Sequence, residues 1–383
     1  VIDSLESLEG LRAAWETLLP KATHASIFMT WEWQCTWWRH YGAGRPLRVI
    51  VAEDANGVCA IVPLYVQPQP FAPGLKAAVL RFVGTGADTS PDDLDPLIDS
   101  AHAGALAERL AAFVLEELPG WDVLHLTDLH ATSSFRMALE QKLANAKRWR
   151  VRTGVSARIS YLRLPATWDE YLQTLSRDRR GTVRRTRRKV ESESGAKFFV
   201  WQDGPGLDAA IDRLVVLHRQ RWTDKGEAHA FSTSAYVNFH RAVMHACFAQ
   251  DRLRLYCLEV EGAIIAMYYC YRFENQVFYF QGGFDPAFER LRPGLCLMGY
   301  AIEQSIAEGN KIFDMLRGEY DYKRQWAKET RETYFVSAYA SGFKIFLYQL
   351  KRERWPQWKQ VIKKHGRRLR TRFSSIPSEG PRA

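Results

Sequence analysis

Two segments of the chain, LRVIVAEDANGVCAIVPLY at Leu47–Tyr65 and LRLYCLEVEGAIIAMYY at Leu253–Tyr269, repeat one pattern of apolar runs around a turn. Glu53 falls on Glu259 and Gly57 on Gly262, with a shorter turn in the second copy. Asn-Gly between two strand-like runs is a strong short-range hairpin signal, so the pattern predicts a β-hairpin twice. Around the first copy the elements read helix, helix, hairpin, strand, loop, helix, strand, and the same order returns in the second half. A recurring element order restricts the chain to a duplicated α/β unit. The boundary is expected near residue 150, giving a first unit over 1–150, a second over 151–341, and a C-terminal segment over 342–383.

Within the first unit, Leu5, Leu8, Leu11, Trp15, Leu18 and Leu19 have helical spacing. Thr30 is placed to cap a second helix, WEWQCTWWRHYG, whose aromatic face predicts core. VLRFVGTG reads as a strand entering the acidic loop ADTSPDDLDPLID; a helix over 103–118 and a strand, WDVLHLTDLH, follow. The second unit opens on a strand, Val155–Leu164, and helical segments Thr167–Leu175, Ser176–Glu193, Asp208–Arg221 and Ala235–Phe248. After the second hairpin come a strand (Asn275–Gly282), a basic Gly/Pro loop, a helix to Glu308, a strand (Lys311–Leu316) and a polar loop. Strand YFVSAYAS then leads to a helix from Gly342 to about Lys364, docked by an apolar face of Phe343, Phe346, Leu347, Leu350, Trp358 and Val361 or Ile362.

Hydrophobic residues make up 46% of the 383 and charged residues 25%, a globular composition that excludes a disordered chain. The six cysteines form no C-x-x-C and lie mostly in apolar runs, which predicts buried reduced thiols in a cytoplasmic protein, without a disulfide framework or zinc site. No apolar run approaches the roughly 20 residues of a membrane span, and VIDSLESLEGL is not a signal-peptide pattern. The net charge of +10 is concentrated: residues 176–197 carry +6 and residues 351–383 carry +9. The body is therefore slightly acidic with two basic patches, which favours localised anionic partners over a nucleic-acid-coating surface.

Several groups have the chemistry of a site. Arg290, Arg292, Gly294 and Leu295 stand where a strand feeds a helix, and unpaired N–H groups there, with the helix dipole and two guanidinium groups, suit an anion. In FDMLRGEYDYKRQW, Asp314, Glu319 and Asp321 are candidate bases and Lys323 a candidate stabiliser of a developing oxyanion. Tyr279, on the preceding strand, is a candidate proton donor to a leaving group. Arg180, Arg184 and Arg188 recur every four residues, so they share a helix face that can grip a phosphate or carboxylate, including that of a nucleotide effector. Asp92 and Asp95 in the first unit suit sugar hydroxyls; their spacing is not that of a metal site, and no metal is expected. The C-terminal helix over 342–372, rich in Trp and Lys/Arg, suits peripheral contact with an anionic membrane. No Ser-His or Cys-His pairing is present in the pattern, which favours direct transfer without a covalent intermediate.

FYFQGGFDPAFERLRPGLCLMGYAIEQSIAEGNKIFDMLRGEYDYKRQW resembles the acetyltransferase domain of the GNAT superfamily. The SRDRRGTVRRTRRKVE helix, the FDMLRGEYDYKRQW segment and FVGTGADTSPDDLDPLID resemble, more narrowly, its CelD/BcsL-like branch of cellulose and exopolysaccharide biosynthesis, related to the FemAB peptidoglycan ligases. The likeness covers most of residues 25–330. It implies an α/β (α+β) fold of two tandem GNAT-like acyltransferase units with mixed sheets, and a substrate cleft between or beside them. The implied activity is N- or O-acetyl transfer from acetyl-CoA to a sugar or lipid-linked envelope precursor by a cytoplasmic protein. The Tyr-Lys-x-x-aromatic motif falls on Tyr322, Lys323 and Trp326, with Arg317 beside it. The superfamily's CoA pattern, Gln/Arg-x-x-Gly-x-Gly/Ala, is met in part: Leu291 stands three before Gly294, flanked by Arg290 and Arg292. FemAB relatives use aminoacyl-tRNA, which makes a tRNA-dependent transferase the alternative; a nucleotide-responsive regulator with a decayed site is a third.

Overall fold

The structure is a computed structural model that describes residues 1–351, apart from Ser90, Ser194, 224–229 and Glu319. Its strands are β1 (Leu47–Asp54), β2 (Gly57–Ala72), β3 (Leu75–Phe82), β4 (Leu97–Ile98), β5 (Val123–His130), β6 (Trp149–Arg163), β7 (Lys197–Val200), β8 (Leu253–Val260), β9 (Ala263–Phe273), β10 (Gln276–Phe284), β11 (Ile312–Arg317) and β12 (Glu329–Ala340). All join one mixed sheet in the order β1-β2-β3-β5-β12-β6-β11-β10-β9-β8-β7, with β4 beside β2.

The repeated segments are the β1–β2 and β8–β9 hairpins, and one irregularity marks both. The register slips after Ala52 opposite Ala60 in the first, and after Leu258 opposite Ala266 in the second. A bulge adds one residue to one strand and is a specific local device, so its recurrence is better evidence of duplication than shared alternation. It also corrects the alignment. Leu47 faces Tyr65 and Leu253 faces Tyr271, so the copies superpose without a gap, and Gly57 matches Ala263, not Gly262. Only the turn conformation differs: Glu261 and Gly262 both have positive φ, whereas in the first hairpin it is Gly57 that takes φ 116°.

Each half also contains a parallel pair, β3 with β5 and β10 with β11. The strands that follow are exchanged. β6, which follows β5 in the chain, pairs with β11; β12, which follows β11, pairs with β5. β6 and β12 then run antiparallel against each other over the full length of β12. The core crosses the halves in the same way. Thr30 caps the Trp31–Tyr41 helix by accepting from the Trp33 N–H. Trp33 is fully buried against Phe239, Tyr271 and Phe280, with ring centroids 5.3, 5.9 and 5.8 Å away.

Strands β4 and β7 have no counterpart in the sequence reading, and two helices also depart from expectation. A helix at Ser134–Asn145, between β5 and β6, has no counterpart in the sequence reading. The helix after β12, described over Phe343–Gln349, buries Ile345 and Tyr348 while Phe343 and Phe346 face solvent. The expected face docks only in part: Leu347 packs against the sheet cluster of Phe71, Val79 and Tyr339 and Leu350 is half-buried, while the two phenylalanines turn outward. Trp358 and Val361 or Ile362 lie outside the described residues. Among the described residues, no helix is long and apolar enough to cross a membrane.

Candidate functional site

β10 and β11 pair only from Gln276 opposite Ile312 to Phe278 opposite Asp314. Beyond that β10 bulges between Tyr279 and Gln281 while β11 runs on to Arg317, and the two diverge. The gap opens into a cavity of about 360 Å³ lined by Tyr279, Gln281, Gly282, Arg317, Tyr322 and Lys323, with His218 and Arg221 from the Leu207–Thr223 helix and Asp88 and Asp92 from the first half. That helix approaches because β10 carries Gly283: a Cβ there would sit 2.2 Å from the His218 backbone nitrogen.

Tyr279 is the hub of the cavity wall. The Arg221 guanidinium and the Tyr322 hydroxyl stand beside its hydroxyl, and Arg221 also donates to the Gly282 carbonyl at 3.4 Å. Burial raises the pKa of both phenols above the ordinary tyrosine value, so both stay protonated and able to donate. Arg221 lies 5.4 Å over the Phe284 ring. Tyr268, against Tyr279 at 4.8 Å between ring centroids, donates to the Gly294 carbonyl at 2.7 Å and so ties the cavity to the start of the Pro293–Ala307 helix.

Lys323 is buried, and its ammonium donates to the carbonyls of Leu316 (2.9 Å) and Arg317 (2.5 Å). Burial lowers its pKa to about 8, against the pull of Asp92 and Asp314. Those carbonyls point at the lysine because Leu316 takes a left-handed conformation, φ 56°. Asp314 holds that turn: one oxygen accepts the Leu316 N–H at 2.7 Å and the other accepts Arg331 at 2.7 Å. Arg331 also grips Asp93 through two nitrogens. On the cavity side, Asp92 accepts the backbone N–H and guanidinium of Arg317, which also reaches Asp128 at 2.6 Å. Burial pushes the Asp92 carboxyl up to about 6 in spite of Arg317.

Of the residues singled out from the sequence, Lys323, Tyr279, Tyr322, Arg317 and Asp92 line this cavity. Asp314 does not. It is fully buried with both oxygens engaged, so it anchors the turn and is not placed to be a base. Asp321 is exposed at the start of a short helix, facing Arg324, and Glu319 lies outside the described residues. Asp95 accepts from Ser133 and lines a separate cavity with His24 and His130. Trp326 is buried beneath Arg179, whose guanidinium is 4.6 Å from its ring. Arg290 and Arg292 are exposed beside the Pro293 helix start, Arg292 with φ 51°, while Gly294 and Leu295 are half-buried. On the Arg177–Glu193 helix, Arg184 pairs with Asp169, Arg188 donates to the Arg184 carbonyl and Arg180 is half-buried. Sequence reasoning missed His218, Arg221 and Tyr268. His218 and Arg221 stand three apart on a helix recognised as amphipathic, and that spacing was their only signal.

Residues 177–324 match the family model of the acetyltransferase (GNAT) domain. Among solved structures, FemX superposes with a TM-score of 0.60 at 11% identity, covering 88% of this chain and 98% of that one. L-PGS from Bacillus licheniformis gives 0.51 at 14%, covering 89% and 96%. The DUF2156 C-terminal domain of a protein assigned as a lysylphosphatidylglycerol synthetase, from Agrobacterium fabrum, gives 0.52 at 10%, covering 91% and 95%. At these identities the likeness is one of fold. No curated protein sequence matches the chain significantly.

Proposed function

We propose that this chain, a member of the GNAT-fold acyltransferase family, moves an acetyl group from acetyl-CoA to an amine or hydroxyl of a sugar or lipid-linked envelope-polysaccharide precursor. The observation that carries this reading is the parting of β10 and β11 around a cavity whose walls hold a buried ammonium and two buried phenols. Such a gap admits an extended thioester arm between two strands. Arg290 and Arg292, beside the helix start that Tyr268 ties to the cavity, supply charge for the donor's phosphates.

Each residue then has a role in the transfer. Lys323 offers positive charge to the oxyanion formed as the acceptor attacks the thioester carbon. Tyr279, kept protonated by burial and with Arg221 beside its hydroxyl, gives its proton to the departing thiolate. His218 donates its Nε2–H to the Gln281 side-chain oxygen at 3.1 Å, which leaves Nδ1 as the nitrogen that takes the proton released by the acceptor. Asp88, Gln281 and Arg317 present acceptors and donors suited to a hydroxyl-rich acceptor. Isothermal titration with acetyl-CoA tests the donor. Saturable binding that Arg290→Ala/Arg292→Ala weakens is expected, and no heat at high micromolar ligand overturns the assignment.

An aminoacyl-tRNA donor is the second reading. It is favoured by the Arg177–Glu193 helix, where Arg177 and Arg185 are exposed without an ion pair among the described residues. Binding of tRNA in the same titration, with acetyl-CoA silent, selects it.

A further inference from the structure

The acidic loop that gives Asp92 to the cleft gives Asp93 and Asp95 to a second cavity, of about 280 Å³. His24, His130, Glu274 and Arg331 also stand on its wall, with Met29, Leu94 and Phe278 as an apolar side. Its carboxylates outnumber the cations that could match them. Arg331 is the one Lys or Arg among the described lining residues, and it is shared between Asp93 and Asp314. Asp95 is buried and accepts the Ser133 hydroxyl at 2.6 Å on one oxygen; its other oxygen has no hydrogen bond among the described residues. Arg136, whose charge acts on Asp95, is itself paired with Glu140 at 2.8 Å. Burial pushes the Asp95 carboxyl up to about 7, so its charge is under-compensated.

The two histidines do not supply the cation. Their rings stack at 3.8 Å, and burial lowers both pKa values, that of His130 to about 4, so both rings are neutral near pH 7. Their hydrogens follow from Thr132. His130 Nδ1 accepts the Thr132 N–H at 3.3 Å and the Thr132 hydroxyl at 3.0 Å, which spends the hydroxyl hydrogen. His24 Nε2 therefore donates to that oxygen at 2.9 Å, and His24 Nδ1 carries no hydrogen and is an acceptor.

We propose that this cavity binds a small alkylammonium ion, whose charged head bonds to the free Asp95 oxygen and whose short chain lies against Met29, Leu94 and Phe278. Glu274, exposed and without an ion pair among the described residues, adds attraction at the mouth. The surplus of carboxylates disfavours an anion. Among the described residues no three His, Cys, Asp or Glu side chains are grouped to hold a metal ion. The site is separate from the transfer chemistry, yet it shares Arg331 with the cluster that fixes Asp314 and the Leu316 turn.

The test is isothermal titration of the full chain, with no acyl donor present, using butylamine and its uncharged counterpart butan-1-ol. Saturable binding of butylamine is expected, with the alcohol about tenfold weaker or more, the scale of one hydrogen bond to a charged group. Asp95→Asn keeps an oxygen for Ser133 and should weaken butylamine by a similar factor. Glu274→Lys, at an exposed position, should weaken it severalfold and serves if Asp95→Asn does not fold. No saturable binding, or equal affinity for the alcohol, overturns the proposal. So does a folded Asp95→Asn protein that binds butylamine as the wild type does; where that variant does not fold, an unaffected Glu274→Lys protein overturns it.

Discussion

Lys323 is held by Leu316: the lysine ammonium donates to the Leu316 carbonyl at 2.9 Å, and that carbonyl is in place because Leu316 occupies the left-handed region. A buried ammonium with a pKa lowered to about 8 is charged below that pH and neutral above it. If its charge stabilises the transition state, turnover should fall as pH rises through about 8. Lys323→Met should lower kcat by roughly 100-fold, the scale of losing one oxyanion donor. Lys323→Arg, if active, should lose the alkaline limb. Stability moves the other way. The folded pKa lies below the unfolded 10.5, so between the two the unfolded chain binds more protons and the fold gains as pH rises. A flat rate profile from pH 7 to 10 would remove Lys323 from the chemistry.

Tyr279 lines the gap with the Arg221 guanidinium beside its hydroxyl, and burial keeps that hydroxyl protonated. Tyr279→Phe should cut kcat by about 100-fold with donor affinity nearly unchanged, as removal of a general acid does. Tyr322→Phe removes only a neighbouring hydroxyl from the cavity wall and should cost less. Steady-state kinetics with a good and a poor leaving thiol separate the cases, because an activated thioester should rescue Tyr279→Phe. Equal losses with both thioesters would count against a proton donor.

Gly283→Ala should be poorly tolerated. The added methyl meets the backbone of Leu217 and His218 at 2.2–2.3 Å, and backbone cannot swing aside as a side chain does. Overpacking of this kind costs about 1–3 kcal/mol or more. Thermal denaturation should show the loss, and any folded fraction should be inactive because His218 and Arg221 move with the helix. A stable, active Gly283→Ala protein would contradict this packing.

Arg331→Met leaves Asp93 and Asp314 buried without their shared counter-charge. Breaking such a cluster from one side costs about 3–5 kcal/mol. Asp314→Asn is gentler, since an amide oxygen still accepts the Leu316 N–H. It should leave the fold largely intact while shifting the alkaline limb of the rate profile, and a profile identical to wild type would show that Asp314 does not position Lys323.

Much of the fold was legible because it rests on short-range patterns. Hairpin alternation, the Thr30 cap and the Pro-Gly helix start are local, and each formed where expected. The site was legible in part for the same reason: Tyr279, Tyr322 and Lys323 sit on or beside one strand pair. His218 and Arg221 were not, because the glycine that lets their helix approach is 65 positions from His218 and carries no chemistry of its own. Asp314 was misread because both its partners are tertiary or conformational: Arg331 comes from another strand, and the turn at Leu316 has no glycine to announce it. The outward turn of Phe343 and Phe346 was missed because an apolar stripe does not say which way the sheet beneath it lies.

The exchange of β6 and β12 sets an order of events at the ribosome. When β5 emerges, its lateral partner is not yet made, since β12 begins about 200 residues later. At 5–20 residues per second that is about 10–40 s of open edge. Release of a stalled chain between these points would leave a sticky half-sheet, so nascent-chain quality control has a defined window in which this protein is vulnerable.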